Sequence, residues 1–280
     1  MAAHLELHLL ENGEMAAEPN AYLAAARALL ERLESQAEAI DATSRICADA
    51  IGGGGVVHLF GTGHSRIPVE EMFPRYGSYP GFNPIVELSM TFHTQVVGAN
   101  GQRQAMAIER TEGLAATILA NFRLRNSDAM IVFSAGGTTA VPIEMAMGAR
   151  EHGLAVIAVT SVAHSQAAES QHSSGTRLLD HADVVLDLCT PVGDALVQVG
   201  CTRVGPGSTV AAAALANAVK VRTAELLDER GALPPVLAAP SLVGADGSRR
   251  LFDAAYAEHA RRYAEVLMTD LRLNSPRGKP

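Results

Sequence analysis

Two glycine-rich turns constrain the fold of this chain more than any other feature of its sequence. The first follows the apolar run 56–60 and spans Gly61–Ser65, with the sequence GTGHS. The second follows the apolar run 129–133 and spans Ser134–Thr139, with the sequence SAGGTT. A turn between a parallel strand and a helix presents backbone N–H groups, hydroxyls and the positive end of the helix dipole to an anion. Two such turns predict a ligand with an anionic group at one turn and a polar body that reaches the other.

Apolar runs typical of strands alternate with helix-forming stretches along most of the chain. This alternation predicts βαβ units and an α/β fold, a flavodoxin-like three-layer αβα sandwich around a mostly parallel five-stranded sheet. We expect one domain over 1–280, with an N-terminal helix at 20–50, a C-terminal helix at 248–271 and a disordered tail at 274–280. The strands are predicted at 56–60, 85–88, 129–133, 154–160 and 183–188, and the other helices at 68–76, 108–122, 141–152 and 209–228.

The composition excludes several classes of function. The 280 residues are 48% hydrophobic, and their formal net charge of -8 leaves no basic stripe for nucleic acid. No apolar run is long enough to span a membrane, and the acidic first 15 residues do not resemble a signal peptide. Cys47, Cys189 and Cys201 have neither disulfide nor metal spacing. We therefore expect a cytoplasmic protein with no nucleic-acid or membrane partner.

The glycine turns do not match the motifs of common nucleotide cofactors. Arg66 stands where a dinucleotide fingerprint needs its third glycine, and the chain has no Walker motif, so NAD and ATP are disfavoured. No pair of histidines or carboxylates has convincing metal-ligand spacing. We expect no cofactor and no metal. Of the two turns, the second is the better anion cradle, because Gly136 and Gly137 let the backbone approach a ligand and Thr138 and Thr139 add hydroxyls.

The pair of motifs, Gly-x-Gly-x-Ser after one strand and Ser-x-x-Gly-x-Thr after a later one, resembles the sugar isomerase (SIS) domain family. Members of this family bind phosphosugars. The resemblance covers about 20–230 and looks closest to a bacterial subgroup of uncharacterised SIS-domain proteins. It implies the parallel sheet, and it implies dimers or tetramers in which a neighbouring subunit completes each site. The stretches that carry the subgroup likeness are 60–65, 70–71, 133–134, 142–146, 172–175, 190–195 and 208–210.

The second turn departs from the family at one position. The usual phosphate turn reads Ser-x-Ser-Gly, and here Gly136 stands in place of the second serine. A lost hydrogen bond to a charged group is worth about 1.5–3 kcal/mol. Thr138 or Thr139 could replace the missing hydroxyl, so a phosphate, a sulfonate and a carboxylate all remain open as the anion.

Aldose–ketose isomerisation needs a base beside the carbon that loses a proton and an acid at the carbonyl oxygen. Glu71 follows the first turn by one to two helical turns, and His64 lies inside that turn. His172 precedes a polar loop, and Asp194 either orients ligand hydroxyls or caps a turn. We expect Glu71 or His172 to move the proton. For the ligand-binding residues we predict Gly61, Gly63, Ser65, Ser134, Gly136, Gly137, Thr138, Thr139, Ser208 and Thr209.

Each candidate also has a structural interpretation. Glu71 is equally compatible with a solvated helix face, and an arbitrary loop histidine is more often bonded to backbone than catalytic. Ser208 and Thr209 cap a helix in any case, and their contact with a ligand is implied only by the resemblance.

The predicted function is binding of a sugar phosphate or a related anionic sugar, with aldose–ketose isomerisation through an enediol. Two alternatives stay open. One is a non-catalytic phosphosugar sensor, and the other is a SIS-type etherase, a lyase that eliminates a leaving group from a sugar phosphate. The sequence does not identify the sugar.

Overall fold

Five parallel strands form the central sheet of the computed structural model, which describes residues 8–9, 15–16, 20–91 and 101–267. Their order across the sheet is β2-β1-β3-β4-β5, so the chain begins near one edge and crosses to the other. Leu59, Ile131 and Ile157 pair in register through the three central strands. The strands are β1 (Val57–Gly61), β2 (Phe82–Ile85), β3 (Ala129–Phe133), β4 (Ala155–Thr160) and β5 (Val184–Asp187).

Both faces of the sheet are covered by helices, which gives the predicted three-layer arrangement. Successive residues of a strand point to opposite faces. Accordingly, Leu59 and Ile131 belong to one apolar cluster and Phe60 and Val132 to another. The helices are α1 (Ala21–Glu34), α2 (Ala37–Gly52), α3 (Ile67–Met72), α4 (Gly101–Ile108), α5 (Leu114–Leu119), α6 (Ala140–Glu151), α7 (Val162–Ala167), α8 (Ser208–Glu229), α9 (Pro240–Val243) and α10 (Ala245–Val266).

Helices α1, α2, α3 and α8 contribute to the first cluster, and α5 and α6 to the second. A short antiparallel hairpin, β6 (Ala195–Val199) and β7 (Thr202–Pro206), precedes α8 and was not predicted. A two-residue ladder pairs His8–Leu9 with Met15–Ala16. None of the described helices is both long and apolar enough to cross a membrane.

The predicted N-terminal helix at 20–50 is two helices, because a tertiary contact interrupts it. Asn20 caps α1 by accepting hydrogen bonds from the N–H groups of Tyr22 and Leu23. At the break, the amide of Gln36 exchanges two hydrogen bonds of 2.7 Å with the backbone of Asp187 in the edge strand β5. These bonds pair the backbone N–H and carbonyl groups of Asp187, and they hold Gln36 in place between α1 and α2.

The predicted helix at 108–122 is shorter in the structure, because α4 ends at Ile108, where the prediction begins, and α5 spans only Leu114–Leu119. Gly113 has a φ of 82°, a left-handed conformation, and lies immediately before α5. The predicted strand at 85–88 lies three residues earlier, as β2, whereas the strand predicted at 129–133 coincides with β3. The C-terminal helix predicted at 248–271 runs from Ala245 to Val266, and the tail at 274–280 lies outside the described residues.

Candidate functional site

Parts of both glycine turns, His64–Ser65 and Ser134–Ala135, meet the start of α8 in a cleft at the carboxyl ends of β1, β3 and β4, whereas Gly61, Gly63 and Gly136–Thr139 do not line it. The cleft has a cavity of about 10 Å³, the room of about one water molecule, within about 240 Å³ of space that is partly open to solvent. It brings together predicted residues from three separate parts of the chain. The residues that line it are His64, Ser65, Pro68, Phe133, Ser134, Ala135, Val159, Leu188, Ser208, Thr209 and Ala212.

The first turn depends on two glycines for its shape. A side chain on Gly61 would collide with the carbonyl group of Ser65, so the turn can close only with glycine there. Gly63 has a φ of 54° and begins a short 3-10 turn that leads into α3. The N–H of Ser65 donates to the carbonyl oxygen of Thr62 at 2.9 Å. This closed turn places His64 and Ser65 at the wall of the cleft.

The second turn also leaves no room for a side chain at one of its glycines, Gly137. Gly137 has a φ of 62°, and a Cβ on it would lie 2.7 Å from Oγ1 of Thr160. Its N–H donates to Oγ of Ser134 at 3.1 Å. By contrast, the N–H groups of Thr138 and Thr139 donate to no acceptor among the described residues. The turn therefore leaves two unbonded donors just before the N-terminus of α6, where an anion can be bound.

Glu109 links the first turn to α6, and the sequence gives no local sign of it. Its Oε2 accepts a hydrogen bond of 2.7 Å from Oγ1 of Thr62, and its carbonyl oxygen accepts one of 3.0 Å from the N–H of Val141 in α6. Burial raises the pKa of the Glu109 carboxyl, while the Thr62 hydrogen bond and the charge of Arg110 act in the opposite direction. A carboxyl with a raised pKa that is hydrogen-bonded to a glycine turn is suited to proton transfer.

Asp194 acts at the start of α8. It has a φ of 67°, and its Oδ1 accepts from the N–H of Ser208 at 2.7 Å and from the N–H of Gly207 at 3.2 Å. Its Oδ2 accepts from Oγ of Ser208 at 2.6 Å. Of the two roles considered for Asp194, the structure shows the cap, which fixes Ser208 and Thr209 at the cleft.

Glu71 does not line the cleft in this structure. Its carboxylate accepts hydrogen bonds from Arg75 at 2.8 Å and from Asn217 at 3.2 Å, and its carbonyl oxygen accepts from Nζ of Lys220 at 2.9 Å. On α8, Asn217 and Lys220 lie about two and three helical turns beyond Thr209. The structure therefore places Glu71 against the side of α8 and away from its N-terminus.

Comparison with known proteins identifies the family of this chain. A family model described as the SIS domain matches residues 21–161, which include both glycine turns. The UPF0309 protein of Streptomyces coelicolor is 38% identical over 228 residues, covering 80% of this chain and 88% of that protein. The UPF0309 protein of Halalkalibacterium halodurans is 36% identical over 222 residues, covering 79% of this chain and 89% of that protein. The chain is a SIS-domain protein of the UPF0309 family.

Among solved structures, a phosphoheptose isomerase from Francisella tularensis aligns with a TM-score of 0.44 at 13% identity, covering 71% of this chain and 95% of that one. The matched part of the SIS domain ends at 161, just after β4. Of the cleft-lining residues, Leu188, Ser208, Thr209 and Ala212 therefore lie beyond the matched segment.

His172 lies outside the cleft of this SIS domain, in a cluster with two carboxylates. Its Nε2 is 3.5 Å from Oε1 of Glu144, and Glu112 accepts hydrogen bonds from the N–H and hydroxyl of Ser173. Ligand atoms of His172, Glu144 and Glu112 all lie within 4.8 Å of one another. Imidazole and carboxylate are donors that divalent cations use. Sequence spacing does not reveal this group, because its members come from three separate segments.

Proposed function

We propose that the cleft binds the anionic group of a phosphosugar or a related anionic sugar, and that the protein is an aldose–ketose isomerase that acts through an enediol. The observation that carries this proposal is that Ser65, Ser134 and Ser208 meet at one cleft, with Glu109 hydrogen-bonded to Thr62 of the first glycine turn. The alternatives are a non-catalytic phosphosugar-binding protein and a lyase that uses the same base.

The second glycine turn supplies the anion subsite in this proposal. The N–H groups of Thr138 and Thr139 lie just before α6, at the end of the helix where its dipole favours negative charge. Ser134, at the start of the same turn, lines the cleft together with the hydroxyl residues Ser208 and Thr209. The overall acidity of the chain does not oppose this binding, because the donors act locally.

The first glycine turn faces the sugar body, and Glu109 transfers the proton. A carboxylate next to the sugar carbonyl removes a proton from the adjacent carbon, and an enediol forms as the carbonyl oxygen is protonated. The same carboxyl then returns the proton to the former carbonyl carbon, while the hydroxyl on the adjacent carbon gives its proton to the group that protonated the carbonyl oxygen, so atoms and charge balance. His64, at the wall of the cleft, is our candidate for the acid at the carbonyl oxygen.

Glu71 and His172 take part only if they reach the cleft of a neighbouring subunit. Neither lines the cleft of its own chain, and Glu109, which does not line it either, differs from them in its hydrogen bond to Thr62 of the first glycine turn. Their participation therefore rests on the dimer or tetramer that we propose for this protein, in a cytoplasmic setting and with no cofactor.

Solvent-deuterium incorporation tests this proposal. Wild-type protein would be incubated in D₂O with ketose and aldose phosphates that stabilise it, and loss of the proton signal at the carbon next to the carbonyl would be followed by NMR. We expect exchange by the wild type and a loss of about 10²-fold or more in Glu109→Gln. Glu151→Gln, an exposed substitution at the end of α6, serves as the control.

Two other results would contradict the isomerase. Bound ligand without any deuterium exchange would favour the non-catalytic binding protein. Release of a leaving group from the third carbon would favour the lyase.

A further inference from the structure

An apolar groove runs between α5 and α6, on the other side of the sheet from α8. It has a cavity of about 590 Å³ and shares no lining residue with the cleft. Contiguous apolar surface of this kind is typical of a place where another segment or molecule packs. The apolar residues that line the groove are Ala116, Leu119, Ala120, Phe122, Leu124 and Met147.

The chain itself arrives at one end of this groove. Helix α10 ends at Val266, whose carbonyl oxygen accepts a hydrogen bond of 2.6 Å from the N–H of Arg123. Leu267 leaves the helix with an extended backbone, at φ -71° and ψ 133°, and forms an antiparallel bridge with Phe122. Phe122 and Arg123 both line the groove. Antiparallel segments run in opposite directions, so a chain that continues this pairing passes back along α5 and over the groove.

The other end of the groove carries negative charge. Glu144 lines it there, and its two carboxylate oxygens accept from the N–H of Gly113, just before α5, at 2.7 and 2.9 Å. Glu112 and His172 complete the cluster described above. The N–H of Ser174 donates to Nδ1 of His172 at 3.1 Å, and an imidazole that accepts at Nδ1 is uncharged. No lysine or arginine of the described part of the chain forms an ion pair with either carboxylate, so a basic side chain would be stabilised here.

The sequence after Leu267 matches the groove in order and in length. Residues 268–273, which lie outside the described residues, read Met-Thr-Asp-Leu-Arg-Leu. At the helical rise, the path from Phe122 back to Gly113 is about 14 Å, and an extended chain from Leu267 to Arg272 spans about 16 Å. In such a chain Leu271 and Leu273 share one face, and the long side chain of Arg272 is free to reach the rim.

We propose that residues 268–273 dock in the groove of their own chain, with Leu271 and Leu273 against its apolar wall and Arg272 beside Glu144 and Glu112. The leucines bury apolar surface, and the arginine gives the two carboxylates a cationic partner. A segment joined directly to the groove has an effective concentration of about millimolar, which favours it over a second copy of the chain. This inference is independent of the proposed function, because the groove and the cleft are separate.

Protection of a thiol in the groove tests the docking. Met147→Cys, in a Cys201→Ser background, places a thiol on the wall of the groove, and its rate of reaction with a maleimide is followed by peptide mass spectrometry. We expect Leu271→Asp to raise that rate about tenfold or more, because the docked segment must open before the thiol reacts. Arg272→Gln should raise it about threefold, and the matched control Arg277→Gln should leave it unchanged.

A disulfide shows which chain supplies the segment. Leu271→Cys combined with Met147→Cys should form a disulfide within one chain under mild oxidation. The same change combined with Val221→Cys, exposed on α8, is the control and should not. A disulfide between two chains would overturn docking within one chain and show that a second copy fills the groove.

Two further results would overturn the inference. One is a labelling rate that Leu271→Asp leaves unchanged, together with no disulfide within the chain. The other is an equal effect of Arg272→Gln and Arg277→Gln, which would remove the arginine from the acidic end of the groove.

Discussion

Oγ1 of Thr62 donates a hydrogen bond of 2.7 Å to Oε2 of Glu109, and this bond ties the first glycine turn to the segment between α4 and α5. The carbonyl oxygen of Glu109 accepts from the N–H of Val141 in the first turn of α6, so Glu109 connects the first glycine turn to the helix that follows the second one. The carboxyl that we propose for proton transfer is therefore held in place by the side chain of Thr62 and by the backbone of α6.

The ionisation of Glu109 should make the stability of Glu109→Gln relative to wild type depend on pH. Burial raises the pKa of the Glu109 carboxyl above its ordinary value of 4.5. A raised carboxyl pKa contributes stability that is present below pH 4.5 and is lost as the pH rises through the folded-state value. Glutamine does not ionise, so the free energy of unfolding of the variant should rise relative to that of wild type as the pH increases from 4.5 through the folded-state pKa. Urea unfolding at a series of pH values measures this difference, and a difference that does not change with pH would contradict the raised pKa.

The second turn should tolerate a methyl group at one glycine and not at its neighbour. Gly137→Ala forces a left-handed φ of 62° on alanine and brings Cβ within 2.7 Å of Oγ1 of Thr160. We expect it to lower the free energy of unfolding by about 1–3 kcal/mol. Gly136→Ala is the matched control, since its nearest contact is 3.5 Å, and it should change stability by less than about 0.5 kcal/mol. Equal effects in denaturant unfolding would show that the turn has another shape.

The lowered pKa of Asp128 leads us to expect a loss of stability in acid that does not involve the cleft. Burial acts to raise its pKa, but His58, Arg125 and the N–H of Val56 outweigh burial and hold the pKa at about 2. A lowered carboxyl pKa gives stability that is present above pH 3.8 and is lost as the pH falls towards about 2. The loss amounts to roughly 2 kcal/mol.

Asp128→Asn should remove this part of the acid dependence and leave phosphate binding intact, because Asp128 precedes β3 at the opposite end of the sheet from the cleft. Unfolding curves between pH 2 and pH 5 check the first expectation. A variant that keeps the wild-type acid slope would contradict it.

The fold could be predicted from sequence where its cause is local. The apolar run at 129–133 coincides with β3, because a strand buried on both faces needs a continuous run of such residues. The break between α1 and α2 has no local signal, since it depends on Gln36 reaching the backbone of β5. The turn at Gly113 is marked by its glycine, but one glycine inside a helical pattern does not by itself end a helix.

The residues of the candidate site could likewise be predicted only where a local sequence pattern marks them. Ser65, Ser134, Ser208 and Thr209 line the cleft because each lies at the end of a strand or the start of a helix, which sequence reveals. Glu109 was not predicted, because it reaches the first turn only through a tertiary contact with Thr62. For Glu71, helical periodicity predicts a face of α3, but only the packed structure shows that this face meets the side of α8.

Binding of an anionic sugar in the cleft is the central claim, and a paired thermal-shift measurement tests it most directly. Each sugar phosphate, amino-sugar phosphate or sulfonated sugar would be compared with the same sugar without its anionic group, in wild type and in Ser134→Ala/Thr138→Ala. A ligand at about 100 times its Kd stabilises the fold by roughly 2.7 kcal/mol, which corresponds to several degrees in Tm. We predict such a shift for at least one anionic sugar, none for its neutral counterpart, and loss of the shift in the double variant. No shift with any anionic sugar, or an equal shift in the double variant, would contradict the account.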